Sequence, residues 1–305
     1  MHLGNGIICP VTGIPMLAIA GVTAFLAFKR VKGTKENFSK EEILKTLTLT
    51  ALVFALQMIN FAIPTTGSSG HIIGGVLLVA LLGPNVAFLS MCAILFVQAV
   101  FFADGGLTTL GCNIFNMGFL ACFVAYPFIY KTFEEKNKPV LGALLASFAA
   151  LQLGSVAVVA EGFLSGTIES TSIINFAGLM QTIHLPIGIT EGLITGAIIV
   201  LAKNIDAKKM SYIFGAASLL FAGIISHYAS TKPDGLEWSL LNVSEAITEH
   251  TQGFLYNIST IIQAKTSILA EFSTMGNIIG LFAVCIIMFF ICTLLKSQSV
   301  KINAQ

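Results

Sequence analysis

The sequence predicts an all-α, polytopic integral membrane protein: a helical bundle of about nine transmembrane helices, with eight as the alternative count. Three observations carry that prediction. Of the 305 residues, 55% are hydrophobic and only 10% charged, about half or less of the charged share of an ordinary soluble domain. Apolar runs of about 17 to 25 residues recur along the whole length, each able to cross a hydrocarbon layer of about 30 Å as a helix. The basic residues, finally, gather at alternate ends of those runs. A net charge of +1 excludes a large basic surface for nucleic acid.

The predicted spans are 12–28, 46–63, 71–83, 85–103, 107–130, 139–163, 184–202, 211–228 and 275–295. The third is only about 20 Å long at 1.5 Å per residue. It must therefore be tilted, joined to residues 66–70, or re-entrant and covered by protein. Lysines and arginines near span ends are retained on the cytoplasmic side. Lys29, Arg30, Lys32, Lys35, Lys40 and Lys45 follow the first span, and Lys131, Lys136 and Lys138 the fifth. Lys203, Lys208 and Lys209 follow the seventh, while Lys296 and Lys301 close the chain. Only Lys232 and Lys265 fall on the other side when nine spans are drawn. That arrangement puts the N-terminus outside and the C-terminus inside. The N-terminus lacks the basic flank of a cleavable signal, and His2 is bulky, so Met1 is expected to remain in the mature protein.

Residues 229–274 differ in kind. They gather Asp234, Glu237, Glu245, Glu249, His250 and Glu271 with a periodic apolar pattern and the sole tryptophan, Trp238. This segment reads as an external loop with helical content between the last two spans, and the polarity change divides the chain into 1–205 and 206–305. The six cysteines show no C-x-x-C pair and read as small packing residues.

Three stretches rich in Gly, Ser, Thr, Asn and His fall on the outer face: Met1–Gly13, Pro64–Gly75 and Ala103–Met117. They suit ordinary turns, yet GSSGHIIGG runs straight into apolar sequence, and Asn113 and Asn116 are carried into a span. Polar groups at membrane depth are expensive and mark sites or pathways. The α-amine of Met1, the amide nitrogen of His2 and its Nδ1 can close two fused chelate rings around one ion. Planar nitrogen donors suit Ni(II) or Cu(II) and fit oxygen-seeking Mg²⁺ or Ca²⁺ poorly. For a fourth nitrogen, His71 is the nearest candidate on that face; the other reading is an interfacial hydrogen-bonding histidine.

MHLGNG at the start, INFAIPTTGSSGHIIGG at 59–75, DGGLTTLGCNIFNMG at 104–118 and HLPIGITEGLITG at 184–196 resemble the CbiM/NikM family. Those proteins are the substrate-capture subunits of cobalt and nickel energy-coupling factor (ECF) transporters. The resemblance covers about residues 1–205. It implies a metal site made by Met1, His2 and His71, although the opening has Leu3, Gly4 and Asn5 where the family usually has Ile-Pro-Asp. KPDGLEWSL at 232–240 is similar to the PDGLE motif of the small companion subunit, here fused, with two spans flanking its external loop. The resemblance further implies an ECF transmembrane coupling (T) subunit and cytoplasmic ATPase subunits as partners, in a prokaryotic cell membrane. Ni²⁺ or Co²⁺ would be cargo for cobalamin synthesis or nickel enzymes, with no prosthetic group.

Other polar residues receive plainer readings. His184 and Glu191, seven apart on one helix face, read as a polar pair that fixes packing, with support of the ion loops as the alternative. His227 and His250 read as solvated surface, and Ala20 with Ala24 as a small-residue seam for close helix approach. No Walker G-x-x-x-x-G-K-[ST] occurs, so ATP is handled elsewhere. The competing classes are a metal-dependent membrane enzyme and an accessory membrane protein without a transport role. Against the enzyme stand the lack of H-E-x-x-H and the expectation that no carboxylate lies beside the ligands.

Overall fold

The computed structural model describes residues 1–34, 38–270 and 273–296; Lys35, Glu271 and Lys301 of the sequence reading lie outside them. The chain is built from helices. Long ones are α1 (Pro10–Thr34), α2 (Lys40–Gln57), α4 (Pro84–Phe101), α7 (Pro139–Leu164), α8 (Ile173–Lys203), α9 (Ala207–Gly223) and α12 (Ser273–Lys296). Helix α5 (Leu110–Ile114) continues through a π-helical stretch, Phe115–Tyr130, into α6 (Lys131–Glu134), forming one rod. Shorter pieces are α3 (Gly75–Leu82), α10 (Gly235–Leu241), α11 (Phe254–Thr266) and a hairpin of β1 (Phe61–Ala62) and β2 (Ser69–Gly70). The hairpin pairs Phe61 with Gly70 and Ala62 with Ser69, antiparallel.

Local chemistry sets these boundaries. Ser39 and Glu42 close a reciprocal capping box at the start of α2, and Asp206 caps α9 through the amide of Lys209. Pro84 opens α4 at the position where a missing N–H costs nothing. Between Gly74 (φ 75°) and Gly83 (φ 77°), both left-handed, only eight residues are helical. The third predicted span is thus a short helix behind an extended segment, and Val76 to Val79 are wholly buried in protein. That burial is what irregular backbone at membrane depth requires.

Six helices among the described residues are long and apolar enough to cross a membrane: Pro10–Gly33, Pro84–Phe101, Leu110–Glu134, Pro139–Leu164, Ile173–Lys203 and Thr274–Lys296. Helix α2 falls short of that standard because Lys40, Glu41, Glu42 and Lys45 crowd its start, and α9 has 17 residues. The surface around these helices is inverted relative to a water-soluble protein. Val11, Ile14, Phe25, Phe282, Ile286 and Phe290 point outward, as side chains solvated by lipid do.

Helix ends alternate between two ends of the bundle. Val31, Phe38, Ile43, Val86, Met288 and Leu295 form one apolar cluster, so the end of α1, the starts of α2 and α4, and the end of α12 share one end. Lys203 pairs with Glu134 at 2.8 Å, joining the tips of α8 and α6. At the other end the N-terminal segment meets the β-hairpin, the loop after α4 and the segment that follows α9. Helices α7 and α8 pack closely because Gly188, Gly192 and Gly196 line their seam. A Cβ on Gly192 would stand 2.7 Å from the Leu144 Cα. Ala20 of α1 faces inward and Ala24 packs against the same core, so that seam serves the protein's own bundle.

Candidate metal centre

The first eight residues form a strap in which buried and half-buried positions mix. Leu3 is wholly buried; its N–H donates to Asn113 Oδ1 at 2.9 Å, and its carbonyl accepts from Asn113 Nδ2 at 3.1 Å and from the amide of Gly106 at 2.7 Å. Thr109 Oγ1 donates to the same carbonyl. Asn5 Oδ1 accepts from the amide and the hydroxyl of Thr108, and Asn5 Nδ2 donates to Gln263 of α11. Gly106 is required here, since a Cβ would lie 2.4 Å from the Asn5 nitrogen. The Met1 side chain fills a slot against Gly154 and Asn116. The strap and the 103–117 stretch therefore fold as one unit.

This strap delivers Met1 and His2 to the hairpin. The Met1 nitrogen lies 3.5 Å from His71 Nε2. The His2 and His71 rings stack with centroids 5.2 Å apart and planes 17° from parallel. The three residues expected to form the metal site thus stand together, although they are 70 positions apart in the chain.

Two carboxylates stand there as well, which corrects the expectation that none lies beside the ligands. Asp234 Oδ2 accepts from the Met1 ammonium at 2.5 Å, and Asp104 Oδ1 lies 3.3 Å from His2 Nδ1. The donors a chelate would use therefore face anions. His2 Nε2 is buried and makes no hydrogen bond of full geometry among the described residues, with the Gln98 side chain beside the ring. Burial, then the nearby ammonium, pushes both imidazoles down to about 3, so both rings are neutral at physiological pH with lone pairs to offer. Burial raises Asp104. Burial acts to raise Asp234 too, but the ammonium and the hydrogen bonds it receives outweigh this and hold it below the usual carboxylate range. A cavity of about 410 Å³, lined by His2, His71, Asp104, Asp234, Glu237 and Asn60 among others, adjoins these groups. It has room for a cation with waters about it, each needing about 30 Å³.

Asp234 belongs to the PDGLE turn, which the sequence reading left outside the site. One carboxylate does two things: Oδ1 caps α10 by accepting from the amide of Glu237 at 2.8 Å, while Oδ2 holds the ammonium. The turn is fixed by the serines of the GSSGH segment. The Ser69 amide donates to the carbonyl of Pro233 at 2.8 Å and Ser69 Oγ to that of Lys232 at 2.7 Å. Gly235 passes so close to His184 that a Cβ would come within 3.2 Å of its ring. The available signals were the outer-face position of Asp104 and the unexplained serine pair before His71.

The remaining polar residues sort differently from the expectation. His184 and Glu191 do not pair: His184 Nδ1 lies 2.7 Å from the Met180 carbonyl, whereas both Glu191 oxygens accept backbone amides from Ile73 and Gly74. Asn113 anchors the strap, and Asn116 donates to the buried Glu161 at 2.8 Å. His227 is exposed. His250 is not simply solvated, because its amide donates to the Gly6 carbonyl and its Nε2 is buried.

Residues 2–208 match the family described as "cobalt uptake substrate-specific transmembrane region" (CbiM), and residues 208–297 match the PDGLE domain. A cobalt transport protein CbiM of Acetohalobium arabaticum is 34% identical over 205 residues, 64% of this chain and 78% of that one. A protein named as a fused nickel transport protein NikMN, from Archaeoglobus fulgidus, is 32% identical over 187 residues. That alignment takes in 61% of this chain and spans about half the relative's length, 53%. The crystal structure of a truncated transition metal transporter superposes with a TM-score of 0.58 at 30% identity, covering 68% of this chain and all of that one. A second transition metal transporter structure gives 0.59 at 28% identity, covering 70% and 97%.

Proposed function

The chain belongs to the CbiM family and continues into a PDGLE domain, and from that premise we propose that it is the substrate-capture subunit of an ECF-type importer for Ni²⁺ or Co²⁺. It is a transport protein of the prokaryotic cell membrane, multi-pass and non-enzymatic. In this reading a coupling subunit and cytoplasmic ATPases drive the inward step. The ion is held by the Met1 amine, the His2 amide nitrogen and imidazole, and a nitrogen of His71.

The observation that supports the ligand set is the meeting of Met1, His2 and His71 around one cavity, with Asp104 and Asp234 as local negative charge. Anionic side chains raise the local concentration of a divalent cation. In the same reading nine segments cross or enter the bilayer, with α3 as a protein-covered half-span, the N-terminus outside and the lysine-rich end inside. The clustering of Arg30, Lys40, Lys138, Lys203 and Lys296 at the end opposite the cavity supports that orientation.

Calorimetric titration of the purified chain with Ni²⁺ and Co²⁺, beside His71→Ala, tests the site. We expect saturable binding that nearly disappears in the variant while helix content is unchanged. Equal affinity in both proteins removes His71 from the site. Uptake by cells with and without the ATPase partners tests the assembly; uptake indifferent to them refutes it.

A further inference from the structure

No side-chain hydrogen bond from the surrounding helices fixes the His71 ring among the described residues. Among the described residues its Nδ1 meets the adjacent Ile72 carbonyl, at 3.4 Å, and its other polar and ring neighbours are the Met1 nitrogen and the His2 ring. Its position is therefore set by the backbone on either side. Before it, Ser69 and Gly70 are held in the hairpin. After it, Ile72 and Ile73 cross a fully buried region outside any helix or strand, with no strand partner among the described residues, and the left-handed Gly74 turns the chain into α3.

The backbone groups of that segment are satisfied by side chains instead. Glu191 Oε2 accepts from the amide of Ile73 at 2.9 Å, and Oε1 from that of Gly74 at 3.1 Å. Gln57 Nε2 donates to the Ile73 carbonyl at 2.6 Å, and Gln98 Nε2 in turn donates to Gln57 Oε1 at 2.8 Å. Helix α3 starts directly afterwards, and Gly74 has no side chain to cap it. Glu191 thus ties down, from across the bundle, the two residues that lead into α3.

Helix α8 also backs the segment on the other side of His71. Ile187, one turn before Glu191, lies so close to Gly70 that a Cβ there would stand 2.6 Å away. A carboxyl group buried to 2% exposure in an apolar bundle is costly. Two consecutive amide donors offset that cost.

We propose that Glu191 is the positioning residue of the metal site: it sets the place of His71 by holding the two amides that follow it. This rests on His71 being a ligand, as argued above. The need is for two acceptor oxygens. A glutamine offers one, and its NH₂ would face the second amide.

The test is a double-mutant cycle between Glu191→Gln and His71→Ala, read as affinity for Cu²⁺, which binds nitrogen sites more tightly than Ni²⁺ and so stays measurable without His71. We expect Glu191→Gln alone to weaken binding about 10- to 100-fold and to shift the visible absorption band of the bound ion. In the His71→Ala background the same substitution should change affinity by less than about twofold, since its route of action is gone. Wild-type affinity for Glu191→Gln overturns the proposal. So does an equal loss in both backgrounds, which would make Glu191 a support of the fold rather than of His71. If His71→Ala by itself changes nothing, the ligand reading fails and takes this proposal with it. Glu191→Ala, with its thermal unfolding recorded, serves as the larger truncation; weakened binding in a variant that melts like the wild type supports positioning.

Discussion

Adding one residue before Met1 is the most incisive perturbation this site allows. The Met1 nitrogen lies in a buried position, 2.5 Å from Asp234 Oδ2 and 3.5 Å from His71 Nε2. An extra residue extends the chain by about 3.8 Å and turns that nitrogen into an internal amide, which can no longer close the five-membered ring with the amide of His2. The ammonium-carboxylate contact goes too. Structural sites with four protein ligands bind at roughly 10–16 kcal/mol, or about 2.5–4 kcal/mol per ligand. Loss of the amine alone should therefore raise the Kd for nickel about 10²- to 10³-fold. The assay compares native, N-terminally extended and C-terminally tagged protein by calorimetry, with each first residue checked by mass spectrometry. The tag should be harmless, because α12 ends with the cluster opposite the cavity. Equal affinity in all three refutes the N-terminal chelate.

Three further outcomes are expected. Asp234→Asn should still cap α10, as asparagine caps well, but should lose the charged contact with Met1. The metal-free protein should be destabilised by about 1.5–3 kcal/mol, and an unshifted thermal midpoint would deny the contact any energetic role. Acidification should turn the two buried imidazoles of the metal-free protein into a cost to the fold. With His2 and His71 pushed down to about 3, the unfolded chain binds protons between pH 6.5 and 3 that the folded one excludes. Stability is then full above about 6.5 and falls with pH through that window, by about 2 kcal/mol per imidazole at pH 5. Asp234, held low, adds a loss of the same sign at lower pH, while Asp104, raised by burial, acts in the opposite sense; the imidazole share is read as the difference between wild type and His71→Ala, and the same change in stability from pH 7.5 to 5 in both proteins contradicts it. Gly111→Ala should prevent α1 from seating, because a Cβ would lie 2.2 Å from the backbone nitrogen of Leu17. Normal folding and melting of that variant would show that the α1–α5 contact is looser than described.

The helical membrane class was legible because lipid as solvent leaves a crude mark: long apolar runs and clustered lysines. Met1 and His2 were legible as ligand candidates for a chemical reason, since an N-terminal amine followed by histidine is a chelate before any folding occurs, whereas His71 joined them through the family resemblance. The third span was legible as a short helix, but its start was not, because Ile72 and Ile73 are as apolar as the helix they precede. Only the left-handed Gly74 and the burial around it separate the two. The role of Asp234 escaped for a different reason. Its partner lies 233 residues away, and composition reported only an acidic external loop. Glu191 and His184 looked like a pair on one helix face, but each is engaged by a different neighbouring segment.

The attachment of the PDGLE turn to the capture domain has a quantitative side. Helices α8 and α9 are joined through Asn204, Ile205 and Asp206 alone. A separate two-span companion would reach the Met1 ammonium only as often as membrane crowding allowed, and dilution in lipid would release it. Within one chain the encounter is intramolecular, at an effective concentration on the order of millimolar for a short connection. The proportion of sites with Asp234 seated is then independent of how much protein the membrane holds. Every CbiM-family region carries its own carboxylate in fixed one-to-one stoichiometry.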